Sequence, residues 1–368
     1  MSSQLRNEYT PDRVSPPGGT LQDILDSVGM TQSQLAERLG RSRKTVNQII
    51  KGKAPLTAET ALQLERVLGV PAAFWSNRER HFREHLAKLE EEARLQLHPA
   101  WVARFPVKVM AARGWVRESS GEVGQLRELL NFFGVASPQQ WRDIWLGPHV
   151  AFRTSPAFEA SPEAVAAWLR KGELEAQNAQ CAPFDVQGFR AVLSQVRTLT
   201  TGVPSSALQE AARICGLVGV AVVVVEELPK THVCGATRWL SPSRALIQLS
   251  FRYRTDDHLW FTFFHEAAHV LKGGKKDIFV DDDQTRGPVP EMAEEERLAD
   301  RFAEDQLIPP APYRRFVARA APYFRKEAIR AFAEDVGVGP GVVVGRLQHD
   351  GHLAYSQRND LKQRVELS

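Results

Sequence analysis

His265, Glu266 and His269 form the pattern H-E-x-x-H within a strongly apolar run from Leu259 to Leu271. If that run is helical, positions i and i+4 share a face, so both imidazoles point the same way with Glu266 beside them. Three polar side chains in apolar surroundings are costly unless something satisfies them, and a metal ion does so. Two imidazoles on a metal, with a carboxylate beside them as general base, are the equipment of a zinc peptidase. Catalytic zinc takes three protein ligands and keeps a position for water, so a further donor is required. Downstream, Glu296, Asp300, Ala303 and Leu307 follow one face of a second helical pattern. Glu296 is the proposed third ligand, and Asp300, one turn on, would accept the remaining N–H of a zinc-bound histidine. Periodicity alone leaves Glu295 open as an alternative, while most of Glu291, Glu294 and Glu295 read as a solvated acidic face.

The elements around the motif have a different texture. Leu217 to Val225 is a β-branched run that reads as a buried strand. Gly235 to Trp239 and Ala245 to Ser250, on either side of Leu240-Ser241-Pro242-Ser243, read as a hairpin whose edge beside the motif helix suits an extended substrate by strand addition. Thr255-Asp256-Asp257 supplies a cap and two first-turn acids for that helix, and Gly273-Gly274 ends it. Asp281-Asp282-Asp283 lacks the spaced ligands and glycine of a calcium loop and reads as a solvated loop, not a strand.

At 368 residues, 43% hydrophobic and 25% charged, the chain has the composition of a soluble globular protein of two or three domains. No stretch approaches the roughly 20 apolar residues of a membrane span, and the first residues lack a signal-peptide core, so a cytoplasmic location is expected. The three cysteines, Cys181, Cys215 and Cys234, are dispersed and suggest neither a disulfide scaffold nor a cysteine metal site. Net charge is only +3, yet six basic residues face one acid between Glu37 and Lys53. Such a patch is an electrostatic footprint for a polyanion.

That patch falls in a series of short helical patterns. Residues 1–17 read as a flexible arm. Thr20 is placed as the cap of a helix to Ser27, Thr31 of Gln32 to Leu39, and Ser42 of Arg43 to Ile50, with glycines at the stops and Ala58 to Leu68 following. Gln32–Leu39 and Arg43–Ile50, joined through Gly40-Arg41, have helix-turn-helix spacing. Arg41, Ser42, Arg43, Lys44, Thr45, Asn47 and Gln48 are the candidate groove contacts, with Lys51 and Lys53 suited to phosphates. Further on, residues 77–97 read as a charged helix with Phe82, Leu86, Leu89, Ala93 and Leu97 as its apolar stripe. It contains an inverted zinc pattern, H-x-x-E-H, in His81, Glu84 and His85, which reads as wet surface. From Glu122 to Leu208 the chain is helix-rich and punctuated by Pro138, Pro148, Pro156, Pro162, Pro183 and Pro204, with Trp141, Trp145 and Trp168 as packing residues.

Residues Met30 to Thr57, with Phe74-Trp75, resemble XRE-type repressors, especially the HigA-like antitoxin branch. That resemblance implies binding to a double-stranded DNA operator as a homodimer. The segment from Phe264-His265-Glu266-Ala267-Ala268-His269 through Glu296-Arg297-Leu298-Ala299-Asp300-Arg301-Phe302-Ala303 resembles the ImmA/IrrE metallopeptidase family. This resemblance implies one zinc ion on His265, His269 and Glu296, Asp300 behind them, and Glu266 as the base that takes a proton from water and returns it to the leaving nitrogen. Ala267 and Ala268 replace the frequent Leu-Gly without disturbing ligation. An oxyanion stabiliser is still needed, and His349 is the first choice, with Arg346, His352 and Tyr355 as competitors. The expected architecture is mainly α with a small β-sheet. It comprises a helix-turn-helix domain at 18–78, a connector at 79–120, a helical middle at 121–208 and a zincin-like peptidase domain at 209–368. The expected function is an operator-binding regulator that hydrolyses a specific protein, for example a repressor, in a stress or toxin–antitoxin type of response. The alternative is a non-enzymatic antitoxin or transcription factor whose peptidase-like domain only binds a partner.

Overall fold

The computed structural model describes residues 15–146, 161–273, 279–282 and 290–366. Most of the expected arm, Pro148, Pro156, Gly274 and Asp283 lie outside them. The chain divides into two compact units, Met1–His98 and Pro99–Ser368.

The first unit holds α1 (Pro17–Ser27), α2 (Gln32–Leu39), α3 (Arg43–Ile50), α4 (Ala58–Leu68) and α5 (Ala72–Leu95). Local chemistry sets most of the boundaries. Thr31 and Gln34 form a reciprocal capping box, and Gly40 ends α2 in the left-handed region at φ 63°. The Ser42 hydroxyl accepts the Thr45 N–H at 3.1 Å to start α3. The Thr20 cap is corrected: α1 starts at Pro17, inside the expected arm, because proline at the first helical position gives up no intrahelical bond. Gly18 has a packing role, since a Cβ there would lie 2.2 Å from the Ile50 backbone. Along α5 the expected stripe is corrected as well. Phe82 is buried, but Leu89 and Leu97 are 49% and 75% exposed, Ala93 is exposed, and Leu97 lies past the helix end.

The second unit opens with α6 (Pro99–Val102), α7 (Val107–Ala112), α8 (Glu122–Phe133) and α9 (Pro138–Trp145). Trp101, Phe105, Phe133 and Trp141 meet largely edge-to-face there, as buried aromatic groups prefer. Next come α10 (Pro162–Asn178), α11 (Val186–Leu199) and α12 (Pro204–Gly216), so three of the expected prolines sit at helix starts. The sheet consists of β1 (Val220–Val224), β2 (Val233–Ser241), β3 (Arg244–Leu249) and β4 (Phe279–Asp282), in the order β1-β3-β2-β4. β1 runs parallel to β3, whereas β2 is antiparallel to β3 and β4. The first strand is shorter than the apolar run, because Leu217 is 64% exposed and Gly219 turns the chain at φ 84°. The hairpin forms, but its edge is not open for strand addition: β4 pairs along β2, and the described sheet ends on β1 and β4.

Helices cover both faces of this sheet. Val222 and Ile247 share a core with α11 and α12, while Ala221 and Leu246 pack with Ala176 of α10. Burial on both faces explains why β1 reads as an unbroken apolar run. α13 (Asp256–Lys272) crosses the first face, and α14 (Pro290–Leu307), α15 (Pro310–Ala320), α16 (Lys326–Val336) and α17 (Pro340–His349) follow. The Lys272–Glu295 ion pair and the His265–Asp300 hydrogen bond show that α13 and α14 run antiparallel.

The start of α13 differs from expectation. Thr255 occupies the cap position without a side-chain cap bond. Asp256 is fully buried and accepts the Gln363 N–H at 2.9 Å, and Asp257 pairs with Lys362 at 2.6 Å, so these two acids tie the C-terminal residues to the helix. Burial raises the Asp256 carboxyl to about 6, despite backbone hydrogen bonds that favour its charge. A carboxyl with a raised folded-state value binds its proton more tightly in the folded chain, so its stability contribution is complete near pH 4 and lost as pH rises through 6. Urea unfolding from pH 4 to 7 should therefore show Asp256→Asn gaining on the parent as pH rises, by roughly 2–3 kcal/mol over the window. A difference that stays constant with pH would contradict this.

Candidate metal centre

α13 puts His265 and His269 one turn apart, both 3% exposed, with their Nε2 atoms 3.1 Å from each other. From α14, Glu296 Oε2 reaches to 3.2 Å from His265 Nε2 and 3.8 Å from His269 Nε2. Donors about 2.0–2.1 Å from a tetrahedral zinc ion stand about 3.4 Å apart, so this nitrogen, nitrogen and oxygen set fits that ion. His265 Nδ1–H donates to Asp300 Oδ1 at 2.9 Å, which fixes the ring with its Nε2 facing the other two donors. Burial alone would raise the Glu296 carboxyl, but hydrogen bonds from His265 and His269 outweigh it and hold the group well below the usual carboxylate range. Of the three acids Glu294, Glu295 and Glu296, it is the Glu296 carboxylate that faces both histidines. Glu295 pairs with Lys272, and Glu294 pairs with Arg297.

Glu266 is fully buried against β2. The Thr237 hydroxyl donates to its Oε2 at 2.6 Å and lies 3.0 Å from its carbonyl oxygen. A Cβ at Gly235 would come within 2.7 Å of Glu266 Oε1, so the strand makes room for the carboxylate by carrying glycine there. Sequence reading missed both residues. Their spacing of two places them on one face of a strand, and that was the available signal.

The remaining candidates are distributed more widely. His349 is exposed at the end of α17, with Nδ1 3.3 Å from Asp350 and 3.5 Å from Glu304. The Phe261 ring lies 6.3 Å from the His265 ring and 6.4 Å from the His349 ring. Glu304, His349 and Asp350 gather possible ligand atoms, but Arg346 pairs with both carboxylates and supplies their countercharge. Tyr355 is 70% exposed, and His352 sits 5.9 Å from the Phe324 ring. In α5, His81 is exposed beside Arg80, and Glu84 pairs with Arg80, as its wet-surface reading implies.

In the first unit Arg43, Lys44, Gln48, Lys51 and Lys53 are exposed on and after α3. Others have structural duties: Ser42 caps the helix, Asn47 donates to Gln32 at 3.1 Å, and Arg41 donates to Gln63 and pairs with Glu59. Arg41, Thr45 and Asn47 are half-buried.

A small sheet backs an H-E-x-x-H helix with a glutamate from the next helix, in a chain that also holds a capped helix-turn-helix, so a peptidase-like domain and a helix-turn-helix domain share one chain. Comparison with known families agrees: residues 21–75 match the helix-turn-helix family, and residues 222–348 match the IrrE N-terminal-like domain of the M78 peptidases. The chain thus carries an XRE-type helix-turn-helix domain and an IrrE-like domain. Over 61 residues it is 31% identical to the uncharacterized HTH-type transcriptional regulator YddM of Escherichia coli K12, covering 17% of this chain and 65% of that protein's length. Among solved structures, similarity extends to a HigA-family addiction module antidote protein from Coxiella burnetii (26% identity, TM-score 0.21). It also extends to antitoxin HigA with the higBA promoter from Pseudomonas aeruginosa (25% identity, TM-score 0.22). Each match covers 23% of this chain and 95% of the other. No helix among the described residues is long and apolar enough to cross a membrane.

If Asp300 orients His265, Asp300→Ala should weaken zinc binding by about 10- to 100-fold. His81→Ala combined with His85→Ala should leave it unchanged. Competition of a fluorescent zinc chelator against the full-length chain reads both.

Proposed function

We propose that this chain is an operator-binding regulator whose second unit is a zinc-dependent endopeptidase acting on a specific protein. The convergence of His265, His269 and Glu296, with buried Glu266 next to them in sequence, carries the proposal. A zinc ion held there would supply polarisation of a scissile carbonyl and acidification of water. Glu266 takes a proton from the attacking water and returns it to the leaving nitrogen. Thr237 holds the Glu266 carboxylate against β2 while it does so. Asp300 keeps His265 in the tautomer that ligates, and His349 is the proposed donor to the developing oxyanion.

The first unit binds double-stranded DNA as a homodimer, with α3 in the major groove. Gln48 and Arg43 are proposed to read base edges, while Lys51 and Lys53 contact phosphates. Joining a DNA reader to a peptidase in one chain suits a switch that removes a partner protein, such as a repressor, under stress.

Purified Glu266→Gln should keep one zinc per chain and unaltered operator binding, yet lose cleavage of a protein that disappears only in cells carrying the parent. Equal cleavage by both forms rejects the assigned base. For the DNA half, Lys51→Ala should weaken binding to all sequences alike and reduce the salt slope by about one, whereas Gln48→Ala should relax discrimination at one position by about 1–3 kcal/mol. Binding titrations at several salt concentrations, against a selected site and scrambled DNA, distinguish the two effects.

A further inference from the structure

The seam between α13 and α14 continues past the metal ligands. One turn before His265 stands Phe261, and one turn after Asp300 stands Glu304. Both line a cavity of about 150 Å³ that α17 closes on its third side. Phe261, Leu307, Ile308 and Val342 form its apolar walls, with Arg346 and His349 also lining it. The charged groups there already have partners. Asp257 pairs with Lys362, and Arg346 pairs with Glu304 at 3.2 Å and Asp350 at 2.8 Å, so no charge in the lining calls for a charged guest. Gly345 keeps α17 close, since a Cβ there would meet Asp257 at 2.7 Å. An apolar cavity of about 150 Å³ is the size that takes up a benzene molecule.

We infer that this cavity is a specificity pocket. It takes one large apolar side chain, aromatic or branched aliphatic, from a polypeptide whose backbone lies at His265 and Glu296. The inference rests on the zinc-peptidase reading and narrows its substrates to segments with such a residue next to the cut bond. Phe261 connects the two places: its ring flanks His265 on one side and lines the cavity on the other.

Two probes test it with the full-length chain. Crystals of the metal-free protein soaked in toluene should show the ring among Phe261, Leu307 and Val342; a cavity without toluene overturns the inference. With zinc loaded, 3-phenylpropionohydroxamate should bind at least tenfold more tightly than acetohydroxamate by calorimetry. Equal binding of the two overturns the pocket while leaving the peptidase reading intact, and binding of neither removes that reading and the pocket's role together. Val342→Phe should abolish both toluene uptake and the phenyl advantage. Should that variant fail to fold, Phe261→Ala provides the check, moving the preference to a naphthyl hydroxamate; an unchanged preference counts against the pocket.

Discussion

Two buried imidazoles and a partly buried carboxylate facing one another across 3.1 to 3.8 Å form the constraint on which the second unit depends. Polar groups in such a place are costly unless their partners are complete. Here they are supplied in layers. Glu296 faces both rings, Asp300 holds the far nitrogen of His265, and Thr237 holds Glu266. A positive ion would find every donor already aimed, so little reorganisation is required to bind it.

The rest of the fold keeps those groups aimed. The sheet gives α13 a flat apolar surface to cross, and Gly235 and Thr237 shape that surface to fit one carboxylate. α10 covers the opposite face, where Trp168 donates to the Val225 carbonyl at 2.8 Å and Gln248 donates back to the Trp168 carbonyl. The helical middle, whose role its residues did not reveal, thus supplies one wall of the sheet that carries the site. At its start, α13 is tied to the C-terminal residues through Asp256, Asp257 and Lys362, so the helix is anchored along its length and at its first turn.

Much of this was legible beforehand where the signal was local. Thr31, Ser42, Gly40 and Gly273 set helix ends as their chemistry requires, because a cap is decided within four residues of itself. The misreadings share a cause. Thr20 can cap a helix, yet proline three residues earlier starts it first. Leu89 and Leu97 continue a helical stripe in the sequence yet remain exposed. The edge of β2 looked open because β4 arrives from residues whose sequence carries little strand signal.

By itself the sequence determined the helix-turn-helix spacing, the pairing of His265 with His269 on one helical face, and the mainly helical class with its small sheet. Each depends on periodicity and capping, which act over a few residues. Only tertiary structure decided that Glu296 and not Glu295 faces the histidines, that Thr237 and Gly235 hold Glu266, and that a cavity opens beside Phe261. Those facts depend on how separate elements are rotated against each other. A helix with acids at successive positions does not specify that rotation until its neighbours pack against it.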